Sequence, residues 1–215
     1  MFRDKLPLAA SVVACVAAFV VAGLPVSAGE VRSLSPQKDI SEHWVPEVAP
    51  PDTWSVKDGV LICKGQPHGY IRTKKEYANY IFKFEWRYKP EGAPPDPNSG
   101  VLLNIAEPHK TWPKCIEVQL MNPDAGSIFP LEGGVVEGAI KKLQGKAKPM
   151  GEWNSYVITV RDGQLSLVFN GEVVNQGTGL EPRRGTIALQ SEGWEIHFRN
   201  ISIEDLDEER RNWDK

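Results

Sequence analysis

Along most of this chain apolar and polar residues change places at every second position, the period of a β-strand, whose side chains point to opposite faces in turn. The clearest run is Tyr80–Tyr88, with Tyr80, Phe82, Phe84, Trp86 and Tyr88 on one side and Ile81, Lys83, Glu85 and Arg87 on the other. Five aromatics on one side predict a core face. Residues 100–105 are expected to turn Val101, Leu103 and Ile105 to the core and Asn104 away from it, and residues 115–120 to bury Ile116, Val118 and Leu120 with Glu117 and Gln119 opposite. Trp54-Ser55-Val56 and Val60-Leu61-Ile62-Cys63 flank Asp58-Gly59, a hairpin dipeptide, and Tyr70-Ile71-Arg72-Thr73 is a further short strand.

The second half reads as a meander. Strands at 156–161, 164–169 and 172–175 are joined by Asp162-Gly163 and Asn170-Gly171, and runs at 185–190 and 194–204 close the sheet. Residues 122–152, rich in glycine, carry no regular period, and a segment of that length is expected to be functional or partly disordered. About a dozen short strands without a long helix predict an all-β fold, one sandwich of two antiparallel sheets. The first and last runs must pair across the chain, which favours a jelly-roll over a meander barrel. The sandwich domain is expected over 51–206, after an extended, proline-containing lead-in at 29–50 and before a charged tail at 207–215.

Residues 1–28 lie outside that domain. Arg3 and Lys5 precede an apolar run over 6–24, and Val26-Ser27-Ala28 is a small-residue cleavage site. This is the pattern of a secretory signal peptide cut near Ala28, giving a periplasmic or extracellular protein without stable membrane insertion. An uncut anchor and a lipoprotein cut before Cys15 are the alternatives. The whole chain has a net charge of −3 and is 41% hydrophobic. Removing Arg3, Asp4 and Lys5 with the leader makes the remainder −4. No basic stripe is present to neutralise phosphates, so nucleic acid is excluded as a partner. Cys63 and Cys115 remain, compatible with a disulfide in an exported protein or with two buried thiols. No cofactor is expected from the residues. A metal ion is left open, since the scattered acids and histidines show no recognisable ligand spacing.

A carboxylate and an amide two apart on one strand, Glu117 and Gln119, can line a sugar-sized groove, although one such strand alone is more often a solvated outer face. Glu85 and Arg87 are expected on a polar face of the same kind.

In order, the chain contains Trp54…Asp58-Gly59, Glu85-Trp86-Arg87, Asn98-Ser99-Gly100-Val101, Ile116-Glu117-Val118-Gln119, Gly151-Glu152-Trp153-Asn154, Asn170-Gly171, residues 185–190 and Phe198-Arg199-Asn200-Ile201. Together, over residues 40–206, these resemble the 3-keto-disaccharide hydrolase family. The resemblance implies a concanavalin-A-like sandwich, exported in bacteria and acting on glycosides oxidised at carbon 3, by elimination across C1 and C2 followed by hydration. Two positions depart from it: many relatives have an arginine in place of Asn104 and a histidine in place of Glu192.

A ketone at C3 acidifies the C2 proton, so one general base and a donor to the enolate oxygen would suffice, where direct glycoside hydrolysis uses two flanking carboxylates. On this reading Glu117 is the base, Arg87 polarises the ketone, and His109 protonates the leaving group. Glu85, Asn98, Asn104, Gln119 and Gln190 bind sugar hydroxyls. His109 is equally a solvated loop histidine, and His68 is a weaker case. The competing reading is a non-catalytic carbohydrate-binding module on the same sandwich, which has no use for ionisable pairs.

Overall fold

Period-two alternation gives each strand one apolar face, and two sheets bury those faces against each other. The computed structural model describes residues 30–207; the leader expected over 1–28 and the tail beyond 207 lie outside the described residues. Fifteen strands are found among the described residues: β1 (Val31–Ser33), β2 (Trp44–Glu47), β3 (Trp54–Lys57), β4 (Val60–Cys63), β5 (Gly69–Thr73), β6 (Tyr80–Tyr88), β7 (Gly100–Ile105), β8 (Cys115–Gln119), β9 (Ile128–Leu131), β10 (Val135–Glu137), β11 (Asn154–Arg161), β12 (Gln164–Phe169), β13 (Glu172–Glu181), β14 (Thr186–Ser191) and β15 (Ile196–Asp205). One sheet runs β10-β13-β12-β11-β6-β15-β4-β3, with β1 paired to β15; the other runs β2-β5-β14-β7-β8-β9. Every pairing is antiparallel. Among the described residues no helix is long and apolar enough to cross a membrane.

The expected core face of β6 is the centre of the interior. Phe84, Trp86, Tyr156 and Phe169 pack with ring centroids 4.7–6.2 Å apart, mostly edge to face, as aromatic quadrupoles prefer. Opposite them the six-stranded sheet contributes Ile71, Val101, Leu103, Ile116, Val118, Ile187 and Leu189. Two tyrosines cross this interior to the end of the β8 strand. Tyr156 donates its hydroxyl to the Gln119 carbonyl at 3.0 Å and Tyr88 donates to the Leu120 carbonyl at 3.2 Å. These buried bonds fix where β8 stops, and so where its outward side chains stand.

The hairpin dipeptides behave as their chemistry requires. Asp162-Gly163 has φ values of 50° and 76°, and Asn170-Gly171 has 50° and 88°, the left-handed pair of a type I′ turn.

Three expectations change. The stretch at 29–50 is no mere lead-in, for β1 joins the larger sheet and β2 forms an edge of the smaller. The irregular 122–152 region holds β9 and β10, too short to show a period. In β7 a bulge falls where Ile105 pairs with Thr186 but Leu102 with Ala188. Asn104 takes φ 55° there, and the extra residue reverses the alternation. Ile105 therefore packs with Leu102 on the outer face. Asn104 turns inward, accepting from the Tyr80 hydroxyl at 3.0 Å and donating to the Pro182 carbonyl at 2.9 Å.

Candidate functional site

The outer face of the six-stranded sheet carries a row of polar side chains that the sequence alternation aims away from the core. Gln119 pairs with Gly100 across β8 and β7, Leu102 with Glu117, and Tyr70 with Gln190 across β5 and β14. Gly100 is the low point of this row. A Cβ there would collide with the Glu117 carboxyl and the Gln190 amide oxygen, so both side chains close over a residue that has none. Any larger residue here would have to push these two side-chain ends out of their present places.

The row is buried yet unsatisfied. Glu117 is 4% exposed, Gln190 1% and Tyr70 0%. Glu117 Oε1, both side-chain polar atoms of Gln190, Asn98 Oδ1 and the Tyr70 hydroxyl have no hydrogen-bond partner within the protein. Buried polar atoms are normally paired, and each orphan costs about 1–3 kcal/mol. Several orphans converging on one face mark a place built to meet hydrogen-bonding groups from outside the chain.

Burial pushes the Glu117 carboxyl up to about 8, and the charge of Glu192 adds to the rise. Glu192 itself is raised by burial to about 7. Both carboxyls are therefore harder to ionise than an exposed carboxylate, and the more deeply buried Glu117 also feels the charge of Glu192. Glu192 directly follows β14. The next residue, Gly193, lies against Asn98, whose backbone nitrogen would be 3.7 Å from an added Cβ. The adjoining backbone is held by Ser99, whose hydroxyl donates to the Gln190 carbonyl at 2.9 Å, and by Ser191, which donates to the Pro67 carbonyl at 2.8 Å.

The other expected residues divide. Gln119 lies in the row, but its side-chain oxygen accepts from the backbone N–H groups of Leu120 and Met121 at 2.9 and 2.8 Å. It shapes the end of β8. His109 is near the sheet edge, its Nδ1 3.2 Å from Glu107 and 3.5 Å from Glu47. Glu47 is also held by Arg72 at 2.9 Å. Asn104 leaves the site altogether, because the bulge turns it into the core.

Glu85 and Arg87 are on the other side of the molecule. Their strand belongs to the nine-stranded sheet and its outer face points away from Glu117. There Glu85 accepts from Arg199 and Asn200 at 2.8 Å each. Arg87 and Arg199 lie 4.5 and 4.0 Å from the Trp153 ring centroid, a cation–π arrangement. The expectation that Arg87 polarises a ketone beside Glu117 is overturned by this separation, since phase along a strand says nothing about which sheet the strand joins.

Glu192 and Tyr70 stand in or beside the candidate row, and the sequence reading did not select them. Glu192 is two residues beyond Gln190, so the spacing that pairs Glu117 with Gln119 would have placed it on the same side. The two thiols are free. Cys63 is raised by burial to about 11 and Cys115 is raised further by burial and by Glu117. Among the described residues no cluster of three or more histidine, cysteine or acidic side chains stands where it could hold a metal ion.

A family model described as a 3-keto-alpha-glucoside-1,2-lyase-like domain matches residues 30–204. Among curated proteins no significant match is found. Of the solved structures, one from Parabacteroides distasonis ATCC 8503, assigned provisionally as a glycosyl hydrolase, is 24% identical, with a TM-score of 0.62 over 82% of this chain and 94% of that one. A β-glucanase from Bacillus licheniformis is 9% identical, with a TM-score of 0.55 over 84% of this chain and 99% of that one. The carbohydrate-binding module CBM66 from Bacillus subtilis is 10% identical, with a TM-score of 0.58 over 76% and 96%. At these identities the likeness is one of fold: an all-β jelly-roll sandwich of two antiparallel sheets.

Proposed function

The chain belongs to the family of 3-keto-alpha-glucoside-1,2-lyase-like domains, a carbohydrate-active class, and from that premise we propose that it cleaves 3-keto-glycosides by elimination across C1 and C2. The observation that carries this reading is the acid pair of buried Glu117 and half-buried Glu192, beside the unpartnered polar atoms of Gln190, Asn98 and Tyr70.

The proposal assigns the pair complementary roles. Glu192, the lower of the two, is ionised first and takes the C2 proton. The electron pair left behind forms the C2=C3 enolate. It then re-forms the ketone and makes the C1=C2 double bond as the C1–O bond breaks. Glu117, in its protonated form, gives its proton to the departing oxygen. One proton is taken and one delivered, so the products are a keto-glycal and a free alcohol. Addition of water across the new double bond would complete a net hydrolysis. The Tyr70 hydroxyl and the Gln190 amide are the available donors to the enolate oxygen, in a buried place where such donation is strong. This exchanges the base role expected for Glu117 with Glu192, because the more deeply buried carboxyl keeps its proton longer.

A binding module gains nothing from two carboxyls raised towards neutrality, which favours the enzyme. The basic and apolar start of the chain supports export, with the leader removed near Ala28. The test is to incubate the purified protein with a 3-keto-disaccharide and with its unoxidised parent. Free sugar should appear from the oxidised compound alone; release from both, or from neither, overturns the reading.

A further inference from the structure

Residues 106–114 join β7 to β8, and the base of this loop is closed by the Ala106 N–H donating to the Lys114 carbonyl at 3.2 Å. From there the loop folds back over the outer face of the six-stranded sheet. His109 reaches Glu47 on β2 at 3.5 Å, although β2 is three strands from β7 in the sheet order, about 14 Å at ordinary strand spacing. The next residue, Lys110, pairs at 2.9 Å with Glu132, which follows β9 at the opposite edge. The loop is therefore tied to both edges of the sheet, across the side that carries Tyr70, Gln190 and Glu117.

This strap brings Trp112 against His68, with ring centroids 6.1 Å apart and planes at 64°. His68 follows Pro67, whose carbonyl accepts from Ser191, the residue between Gln190 and Glu192. The indole is thus linked through His68 and Pro67 to the strand end that carries Gln190. Trp112 is nonetheless 38% exposed. The other exposed large hydrophobics among the described residues are aliphatic: Val31, Val48, Val135, Ile140 and Val173.

We propose that Trp112, braced by His68, is the platform of a second sugar subsite, on which the leaving-group ring of a disaccharide stacks. A pyranose presents a face of C–H bonds that an indole can cover without desolvating the hydroxyls around the rim, and an anchored aromatic does so at little entropic cost. The orphaned polar row takes the oxidised ring and Trp112 takes its neighbour, so the strap gives the site a preference for disaccharides over glycosides with small aglycones. This subsite rests on the saccharide reading above.

The experiment compares kcat/KM for 3-keto-maltose and methyl 3-keto-α-glucoside in wild type, Trp112→Ala and Trp112→Phe. The disaccharide preference should fall about tenfold in Trp112→Ala and be largely restored in Trp112→Phe. An unchanged preference overturns the subsite, as does an equal loss on both substrates. If the wild type turns over neither compound, the elimination reading fails and the subsite is judged by binding. The Trp112 indole NMR signal should then shift with 3-keto-maltose and stay in place with the methyl glycoside. A signal unmoved by the disaccharide overturns the subsite on its own.

Discussion

The two outer faces of the sandwich are built from the same alternation and end in opposite states. On the nine-stranded sheet, Glu85 is bonded by Arg199 and Asn200, and Trp153 is flanked by two guanidinium groups. Burial works to raise the Glu85 carboxyl, but the hydrogen bonds from Asn200 and Arg199 and the Arg199 charge outweigh it, holding it below the usual range. On the six-stranded sheet, Glu117 meets no cation, and burial with a second carboxylate drives it the other way. On one face the Glu85 carboxyl is matched by a cation and an amide, whereas on the other the Glu117 and Gln190 side chains keep polar atoms for something else to complete. A polar side chain on a strand therefore becomes a candidate when it is buried and unmatched, not merely when it lies opposite the core.

The comparison breaks most sharply at the acid pair. Glu117→Gln and Glu192→Gln should each lower turnover of a 3-keto-glycoside about 10³-fold in folded protein, the usual size of a general acid–base contribution. The double variant should lie little below the worse single one, since the pair acts as a unit. Full turnover in either single variant removes it from the chemistry.

A smaller effect concerns stability. The Glu117 carboxyl moves from 4.5 to about 8 on folding, so the folded protein binds more protons than the unfolded chain between those values. Its contribution is therefore most favourable below about pH 4.5 and is lost as pH rises to about 8, by a few kcal/mol. Glu117→Gln should flatten the fall in melting temperature between pH 5 and pH 8. An identical slope in variant and wild type would place the carboxyl in better solvated surroundings than these.

The smallest effect belongs to the satisfied face. Arg199→Ala removes an ion pair that is 39% exposed on the arginine side and 28% on the glutamate side, and should cost no more than about 1 kcal/mol by denaturant titration. Turnover should change less than twofold. A loss comparable to that of Glu117→Gln would return Glu85 and Arg87 to the active site.

Most of the architecture was legible because strands announce themselves locally. The aromatic face of β6, the outward Glu117 and Gln119 and the Asp-Gly and Asn-Gly turns all follow from period two and from backbone conformations that those residues tolerate. The short strands β1, β2, β9 and β10 were not, since three or four residues hold too little pattern to separate from loop. Residue chemistry also drew attention to Gln190 and Asn98, whose side chains keep unpartnered polar atoms in the fold.

Tertiary structure alone decided which polar faces belong together. Glu85 and Glu117 look equivalent along the chain, and only the assignment of β6 and β8 to different sheets puts a core between them. One bulge, with its left-handed Asn104, turned a predicted groove residue inward. Glu192 joined Glu117 because β14 runs between β5 and β7, a neighbourhood fixed by long-range pairing. Local sequence sets the direction of a side chain relative to its own strand. Which strand lies beside it, and so which charge it feels, is set by contacts between residues distant along the chain.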